Sequence, residues 1–174
     1  MNETQKTLVS RRSVRKFKPD QIADAELNAV LEAAAYAPTG GGRQGNRFVV
    51  VQDPALRRQL AQMNAAVLGK DVDPYYGAPT IVLVFADQTK STPVEDGSLA
   101  LGNMFNAAAA LGLGSCWIHR AREMFAGAAG RDLLRRWGLA DSYVGVGACS
   151  LGYPDGPRPA PAPRKPDLVV FARP

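Results

Sequence analysis

Apolar residues recur along the chain with two different spacings, which predict helices and strands respectively. Residues 24–36 place apolar side chains three or four positions apart, the spacing of one helix face, and a proline and three glycines follow them. The apolar run 48–51 predicts a buried strand, and Asp53-Pro54 predicts the cap and first turn of a second helix. Residues 64–78 are less regular and predict a loop or a short mobile helix.

The second half of the chain continues this alternation. Residues 79–86 are apolar at consecutive positions and predict a central strand that is buried on both faces. Residues 98–113 combine helical spacing with many alanines, so the predicted helix can pack closely in the middle of the protein. The remaining predicted elements are a third strand over 115–118, one or two helical turns around Glu123, a helix over 131–137 and a fourth strand over 143–151.

The chain changes character after the fourth predicted strand. Residues 152–166 are dominated by proline, which excludes a helix or a central strand and predicts an extended connector. Residues 168–171 then predict a short strand with no obvious local partner. Because several connections are too long for a regular βαβ series, we expect one α+β domain over residues 1–174, a mixed sheet between helices and not a Rossmann fold.

Composition limits the classes of function. The net charge of +5 suits a nucleic acid, an anionic membrane or an anionic small molecule, but the basic residues lie in short groups, which disfavours nucleic acid. No apolar run is long enough for a membrane span and no signal peptide is indicated, so we expect a soluble cytoplasmic protein. With two cysteines in apolar runs and one histidine, we expect no metal site and two buried thiols.

Two segments are candidates for binding an anion. Residues 11–17 contain three arginines, a lysine and a serine, and guanidinium groups bind phosphate through paired hydrogen bonds. The alternative, a solvated basic tail, is equally compatible with this composition. Residues 39–44 begin with a threonine and three glycines, whose bare backbone lets a flat ring or a phosphate approach closely. The alternative here is a flexible turn, and the P-loop ending is missing.

Two further segments carry weaker signals. Residues 112–120 end a strand in a loop that can lay backbone amides along the edge of a bound ring. His119 is a possible proton donor there, although a lone histidine is more often structural or merely exposed. Arg164 and Lys165 follow the proline-rich connector and can reach back to an anion, unless they are simply solvated. Many anion-binding residues and few acids, bases or nucleophiles indicate a cofactor that brings its own chemistry.

The order of these segments resembles the nitroreductase-like family of FMN proteins. Residues 11–17 (Arg-Arg-Ser-Val-Arg-Lys-Phe) resemble its Arg-Arg-Ser-x-Arg-x-Phe motif, and residues 35–44 are similar to its Ala-x-x-Ala-Pro-Ser stretch. Residues 112–119, and 152–154 together with 164–165, match its later landmarks. The resemblance extends from about residue 8 to residue 166.

The resemblance implies a mainly antiparallel sheet flanked by helices, in an intertwined homodimer that holds FMN at the subunit interface. Residues 152–174 would then form an arm that reaches the partner, with 168–171 pairing to its sheet. The implied contacts of FMN are Arg11, Arg12, Ser13 and Arg15 with the phosphate, ribityl chain and pyrimidine edge; Thr39, Gly40, Gly41, Gly42 and Gln44 from the partner chain; Cys116, Trp117 and Ile118 near the ring; and Arg164 and Lys165 over the phosphate.

The implied activity is a two-step, ping-pong exchange of electrons. NADH or NADPH reduces the flavin and leaves, and a nitroaromatic, quinone or similar acceptor is then reduced, with Arg15 stabilising the anionic reduced ring. The chain has Gln44-Gly45-Asn46 where the family commonly has Gln-Pro-Trp, so the substrate class stays open. Two alternatives remain, a non-catalytic flavin- or nucleotide-binding module and a basic nucleic-acid binder without flavin.

Overall fold

A computed structural model describes residues 1–172, and its centre is an antiparallel sheet of four strands. The strand order is β1-β2-β4-β3, so β2 and β4 are central and β1 and β3 form the two edges of the described sheet. The prediction of a mainly antiparallel α+β sheet is confirmed. The strands are β1 (Asn46–Val51), β2 (Thr80–Asp87), β3 (Gly114–Ile118) and β4 (Tyr143–Gly152).

Six described helices surround the sheet. They are α1 (Glu3–Ser10), α2 (Asp24–Ala35), α3 (Pro54–Leu68), α4 (Pro93–Ala110), α5 (Ala121–Ala126) and α6 (Ala128–Arg136). Helix α3 begins as predicted, because the Asp53 carboxylate accepts the backbone N–H of Leu56 at 2.7 Å. Helix α4 begins at Pro93, which is earlier than the predicted start at residue 98. The irregular region predicted from residue 64 starts later, because α3 continues to residue 68.

Helix α1 was not predicted from the sequence. None of its residues is buried, so its sequence lacks the apolar face that predicts a helix packed on a core. Its start is fixed instead by a reciprocal cap in which the Asn2 side chain accepts the N–H of Gln5 and the Gln5 side chain accepts the N–H of Asn2.

The core has one layer on each face of the sheet. Val82 and Val84 of β2 pack with α2 and α4, whereas Leu83 and Phe85 pack with α3, α5 and α6. These four residues have no exposed surface, which confirms that residues 79–86 form a strand buried on both faces. The long helix α4 lies close to β4: a Cβ on Gly97 would be 2.6 Å from Cγ2 of Val146.

The chain leaves the sheet after β4 as an extended arm. Residues 157–172 are exposed and contain no helix or strand. Leu168, Val169 and Val170 are 64%, 67% and 87% exposed. The strand predicted over 168–171 is therefore not formed within one chain, and its pairing with a partner chain stays a prediction.

None of the helices within residues 1–172 combines the length and the apolar character that a bilayer span requires.

Candidate functional site

The arginine segment, residues 11–17, is fixed against the edge strand β3. The backbone N–H of Val14 donates to the carbonyl of Ser115 at 2.9 Å, and the Val14 side chain is buried. A Cβ on Gly114 would be 2.8 Å from Cγ1 of Val14, so glycine at this position permits the close approach. The backbone of the segment is thus part of the fold and not a solvated tail.

Three side chains of this segment influence the pKa of the Cys116 thiol. Burial raises the pKa of Cys116, while the positive charge of Arg15, a hydrogen bond with Ser13 and the charge of Arg11 act in the opposite direction. The bridge between Ser13 and Ser115 places this segment alongside the middle of β3, on the strand that carries Cys116. The structure therefore brings three of the predicted site residues together with a fourth.

Arg12 has a different environment from its two neighbours. Its Nη1 donates to the carbonyl oxygens of Val9 at 2.9 Å and Arg11 at 2.6 Å, so its guanidinium folds back on the end of α1. Its buried Nε has no hydrogen-bond partner among residues 1–172. Arg12 thus stabilises the end of α1 and retains one buried donor that lacks an acceptor.

The predicted site residues of β3 turn their side chains into the two core layers, so their backbone is what they offer at the edge of the sheet. Cys116 and Ile118 are 3% and 2% exposed, and both pack into the core layer under α3, α5 and α6. Trp117 points to the opposite face, where its ring centre lies 6.2 Å from that of Phe105. A ligand along this edge would therefore contact the main chain of β3. This agrees with the expectation that backbone amides lie along the edge of a bound ring.

A loop in the irregular region predicted over residues 64–78, for which no role at the site was predicted, lies against Arg15. This tyrosine loop, residues 73–77, follows α3, and the centre of the Tyr76 ring is 5.9 Å from Cζ of Arg15. The sequence signals of Asp73-Pro74 and of Gly77 indicate a turn. They do not indicate that the turn reaches the arginine segment, so Tyr76 was missed.

The far end of β3 is fixed by a buried amide that was also missed. Asn64 is fully buried; its Nδ2 donates to the carbonyl of His119 at 2.9 Å and its Oδ1 accepts from Nε of Arg120 at 2.8 Å. Arg120 has a φ of 76°, a conformation that non-glycine residues adopt only when held. A cavity of about 300 Å³ opens beside this turn, lined in part by His119, Arg122 and Glu123. The His119 ring is exposed there, and its role stays open.

The glycine loop, residues 39–44, is anchored to the start of α4. The backbone N–H of Gly40 donates to Oδ1 of Asp96 at 3.0 Å, and the hydroxyl of Thr92 donates to the same oxygen at 2.9 Å. The hydroxyl of Thr39 accepts the N–H of Gln44 at 3.0 Å. Gly41, Gly42 and Gln44 have φ values of 59°, 67° and 49°. The loop is therefore a defined turn and not a flexible one.

The strand register places the arginine segment and the glycine loop at opposite ends of the sheet. Ser115 of β3 pairs with Leu151 of β4, which pairs with Thr80 at the start of β2. Asn46, just after the glycine loop, pairs with Ala86 near the other end of β2. The two groups also belong to opposite edges of the described sheet, so one chain does not bring them together.

The two cations of the arm do not join either group within one chain. Arg164 and Lys165 are exposed, and the Arg164 guanidinium donates to the carbonyl of Ala162 at 3.1 Å and 2.7 Å. Across residues 1–172, no hydrogen bond or ion pair links them to the arginine segment. Their contact with a bound phosphate stays a prediction.

Comparison with known proteins gives consistent results. The model of the Nitroreductase family matches residues 8–70 and 64–153. A protein of Archaeoglobus fulgidus, provisionally named NADH dehydrogenase/NAD(P)H nitroreductase, is 34% identical over 88% of this chain and 87% of its own. The NADPH-flavin oxidoreductase of Vibrio harveyi is 30% identical over 98% of this chain and 73% of its own.

A solved structure extends the likeness to the whole fold. The nitroreductase of Bacteroides fragilis with bound FMN superposes with a TM-score of 0.91 at 29% identity, over 99% of this chain and 100% of that one. The matched residues include the arginine segment, the glycine loop and β3. The chain belongs to the nitroreductase family.

Proposed function

We propose that this protein is an FMN-dependent oxidoreductase that takes electrons from NADH or NADPH and passes them to a small organic acceptor. The observation that carries the proposal is the pairing of the arginine segment with the main-chain edge of β3, through the N–H of Val14 and the bridge between Ser13 and Ser115. Family membership supports FMN as the cofactor, since the related structure from Bacteroides fragilis holds it and relatives are named for NAD(P)H and flavin.

The residues present fit FMN. The Arg11 guanidinium and the Ser13 hydroxyl are suitable donors for one terminal phosphate, and the buried Nε of Arg12 is a further donor without an acceptor among the described residues. Residues 40–42 offer bare backbone, and a substitution at Gly41 would be strained because its φ is 59°. No dinucleotide fingerprint is present in the sequence, so FMN fits better than FAD.

FMN supplies the redox chemistry, and the chain's own residues bind and orient it. Arg11 and Ser13 would hold the phosphate and ribityl chain, and the main chain of β3 would offer its amides to the ring. Arg15 places a positive charge near the ring, where it favours the negative charge gained on reduction. The donor and the acceptor, a nitroaromatic, a quinone or a similar compound, occupy the same face in turn.

A second copy of the chain completes this site. The arginine segment and the glycine loop lie at opposite ends of the sheet, so a two-fold dimer can place the loop of one chain against the arginine segment of the other. The same dimer gives the C-terminal arm a sheet to join. The partner's loop presents Gly45 and Asn46 after Gln44, which leaves a small and polar wall beside the acceptor.

Release of the cofactor by heat, followed by chromatography, tests the proposal. We expect FMN at about one molecule per chain after reconstitution. Anaerobic titration with NADH and with NADPH should then bleach the flavin absorbance, and an added quinone should restore it. Recovery of FAD or of no flavin would overturn the cofactor assignment. Bound FMN that neither nucleotide reduces would identify a non-catalytic flavin-binding module instead.

A further inference from the structure

We infer that Tyr76 is a positioning residue for the flavin site: its ring holds the Arg15 guanidinium beside β3 and thereby sets the reduction potential of bound FMN. The inference rests on the proposed function, because it concerns the cation that we place near the FMN ring. It adds a residue from the tyrosine loop, a part of the chain that the arginine segment and the glycine loop do not include.

The tyrosine loop is built to a fixed shape. The Asp73 carboxylate accepts the backbone N–H of Tyr75 and that of Gly77, both at 2.9 Å. Its Oδ2 also accepts both terminal nitrogens of Arg57 at 3.0 Å. One carboxylate thus closes the turn from both sides and ties it to α3.

Tyr75 anchors this turn in the core. It is fully buried, its hydroxyl lies 3.7 Å from Sδ of Met124, and its carbonyl accepts the hydroxyl of Ser150 at 3.1 Å. Burial raises the pKa of the Tyr75 hydroxyl, so the anchor stays neutral throughout the physiological range. The next residue is consequently held at the surface in a defined position.

Tyr76 occupies that position in a conformation that is unfavourable for a tyrosine. Its φ of 57° lies in the left-handed region. This conformation has a free-energy cost for any residue with a side chain, and glycine avoids that cost. Tyr76 as a whole is 41% exposed, so burial in the core does not explain why a tyrosine stands here. The contact of the ring with Arg15 does, because the face of an aromatic ring attracts a guanidinium.

The contact with Tyr76 can hold the exposed Arg15 side chain in place. No carboxylate lies within ion-pair distance of it in residues 1–172, and its side chain is exposed. The Tyr76 ring lies on one side of the guanidinium, and the Cys116 thiol lies close to it as well. A cation held in place stabilises a nearby negative charge more than one that moves freely, because no reorientation is needed when the charge develops.

The test compares Tyr76→Leu with Tyr76→Phe in the FMN-loaded protein. Tyr76→Leu should lower the reduction potential, because reduced FMN loses between about twofold and fivefold in relative affinity. This ratio equals about 10–20 mV for a two-electron couple. Tyr76→Phe keeps the aromatic face and should retain the wild-type potential. Val72→Ala, an exposed change beside the same loop, should also leave it unchanged.

A double-mutant cycle separates positioning of Arg15 from a general effect of the loop. In an Arg15→Met background, Tyr76→Leu should no longer shift the potential, because the cation that it positions is gone. A shift that persists in this background, or identical potentials for wild type and Tyr76→Leu, would overturn the inference and leave FMN binding intact. Failure of the wild type to bind FMN would overturn the inference together with the proposed function.

Discussion

The three arginines of the N-terminal segment differ in their surroundings, although the sequence sets them close together. Arg11 and Arg15 act on the Cys116 thiol beside β3, whereas Arg12 is hydrogen-bonded to the end of α1. FMN can therefore bind to Arg11 and Arg15 without breaking an existing side-chain contact of α1. Replacing Arg12 would instead disturb the helix that precedes the segment.

We predict that replacing Arg11 and Arg15 together by alanine weakens FMN binding and leaves the protein folded. Each hydrogen bond to a charged group contributes roughly 1.5–3 kcal/mol, so losing two should cost about 3–6 kcal/mol, more than a hundredfold in Kd. Fluorescence titration of the apoprotein with FMN measures the change. Arg135→Ala with Arg136→Ala removes the same charge from exposed positions on α6 and serves as the control. If both double variants bind FMN with equal affinity, the side chains of Arg11 and Arg15 are merely solvated and do not bind the cofactor.

The elements of the fold differ in how well the sequence predicts them. Strand β2 was predictable because it is apolar at every core position, and α2 because its apolar residues follow one helix face. Helix α1 was not, since its exposed surface leaves no period. The composition of the glycine loop indicated bare backbone, but its anchor on Asp96 is 56 residues away, and no local pattern reports such a contact.

The anchor of the glycine loop gives the prediction at this scale. A Cβ on Gly40 would lie 2.2 Å from Oγ1 of Thr92, whose hydroxyl is bonded to Asp96. Gly40→Ala should therefore displace Thr92, destabilise the protein by about 1–3 kcal/mol and reduce FMN retention. Urea denaturation and flavin content measure the two effects.

A second substitution tests whether this clash is the cause. Thr92→Ala removes the clashing oxygen, so Gly40→Ala should cost much less in a Thr92→Ala background than in the wild type. If the effects of the two substitutions are additive, the clash with Thr92 is not the cause of the destabilisation.

At the scale of the whole molecule, one chain contains both halves of the proposed site but holds them apart. The arginine segment borders one edge strand and the glycine loop the other, at opposite ends of the sheet. The sequence order of the motifs indicates the family, and the intertwined dimer that this resemblance implies stays a prediction. The sequence order gives no distance between the motifs, and only the register of the strands shows that a single chain keeps them apart.

The C-terminal arm is the part of the chain that can join two such molecules. Residues 168–171 are apolar strand formers, and they are exposed in the single chain, which is an aggregation hazard unless a partner covers them. The proline-rich connector before them spans about 3.1 Å per residue, so some ten residues cross about 30 Å. That distance is sufficient to leave one subunit and reach the sheet of another.

We predict that deleting residues 167–174 weakens both dimerisation and FMN retention. The deletion removes the strand that would pair with the partner's sheet, and Arg164 and Lys165 would then lose the fixed position from which they could reach the phosphate. Sedimentation velocity and flavin content of the truncated protein measure the two losses. In the full-length chain, Arg164→Ala with Lys165→Ala should reduce FMN retention but leave the dimer intact, because it removes charge and keeps the strand. A truncated chain that stays dimeric and fully loaded with flavin would show that the arm has no part in the assembly.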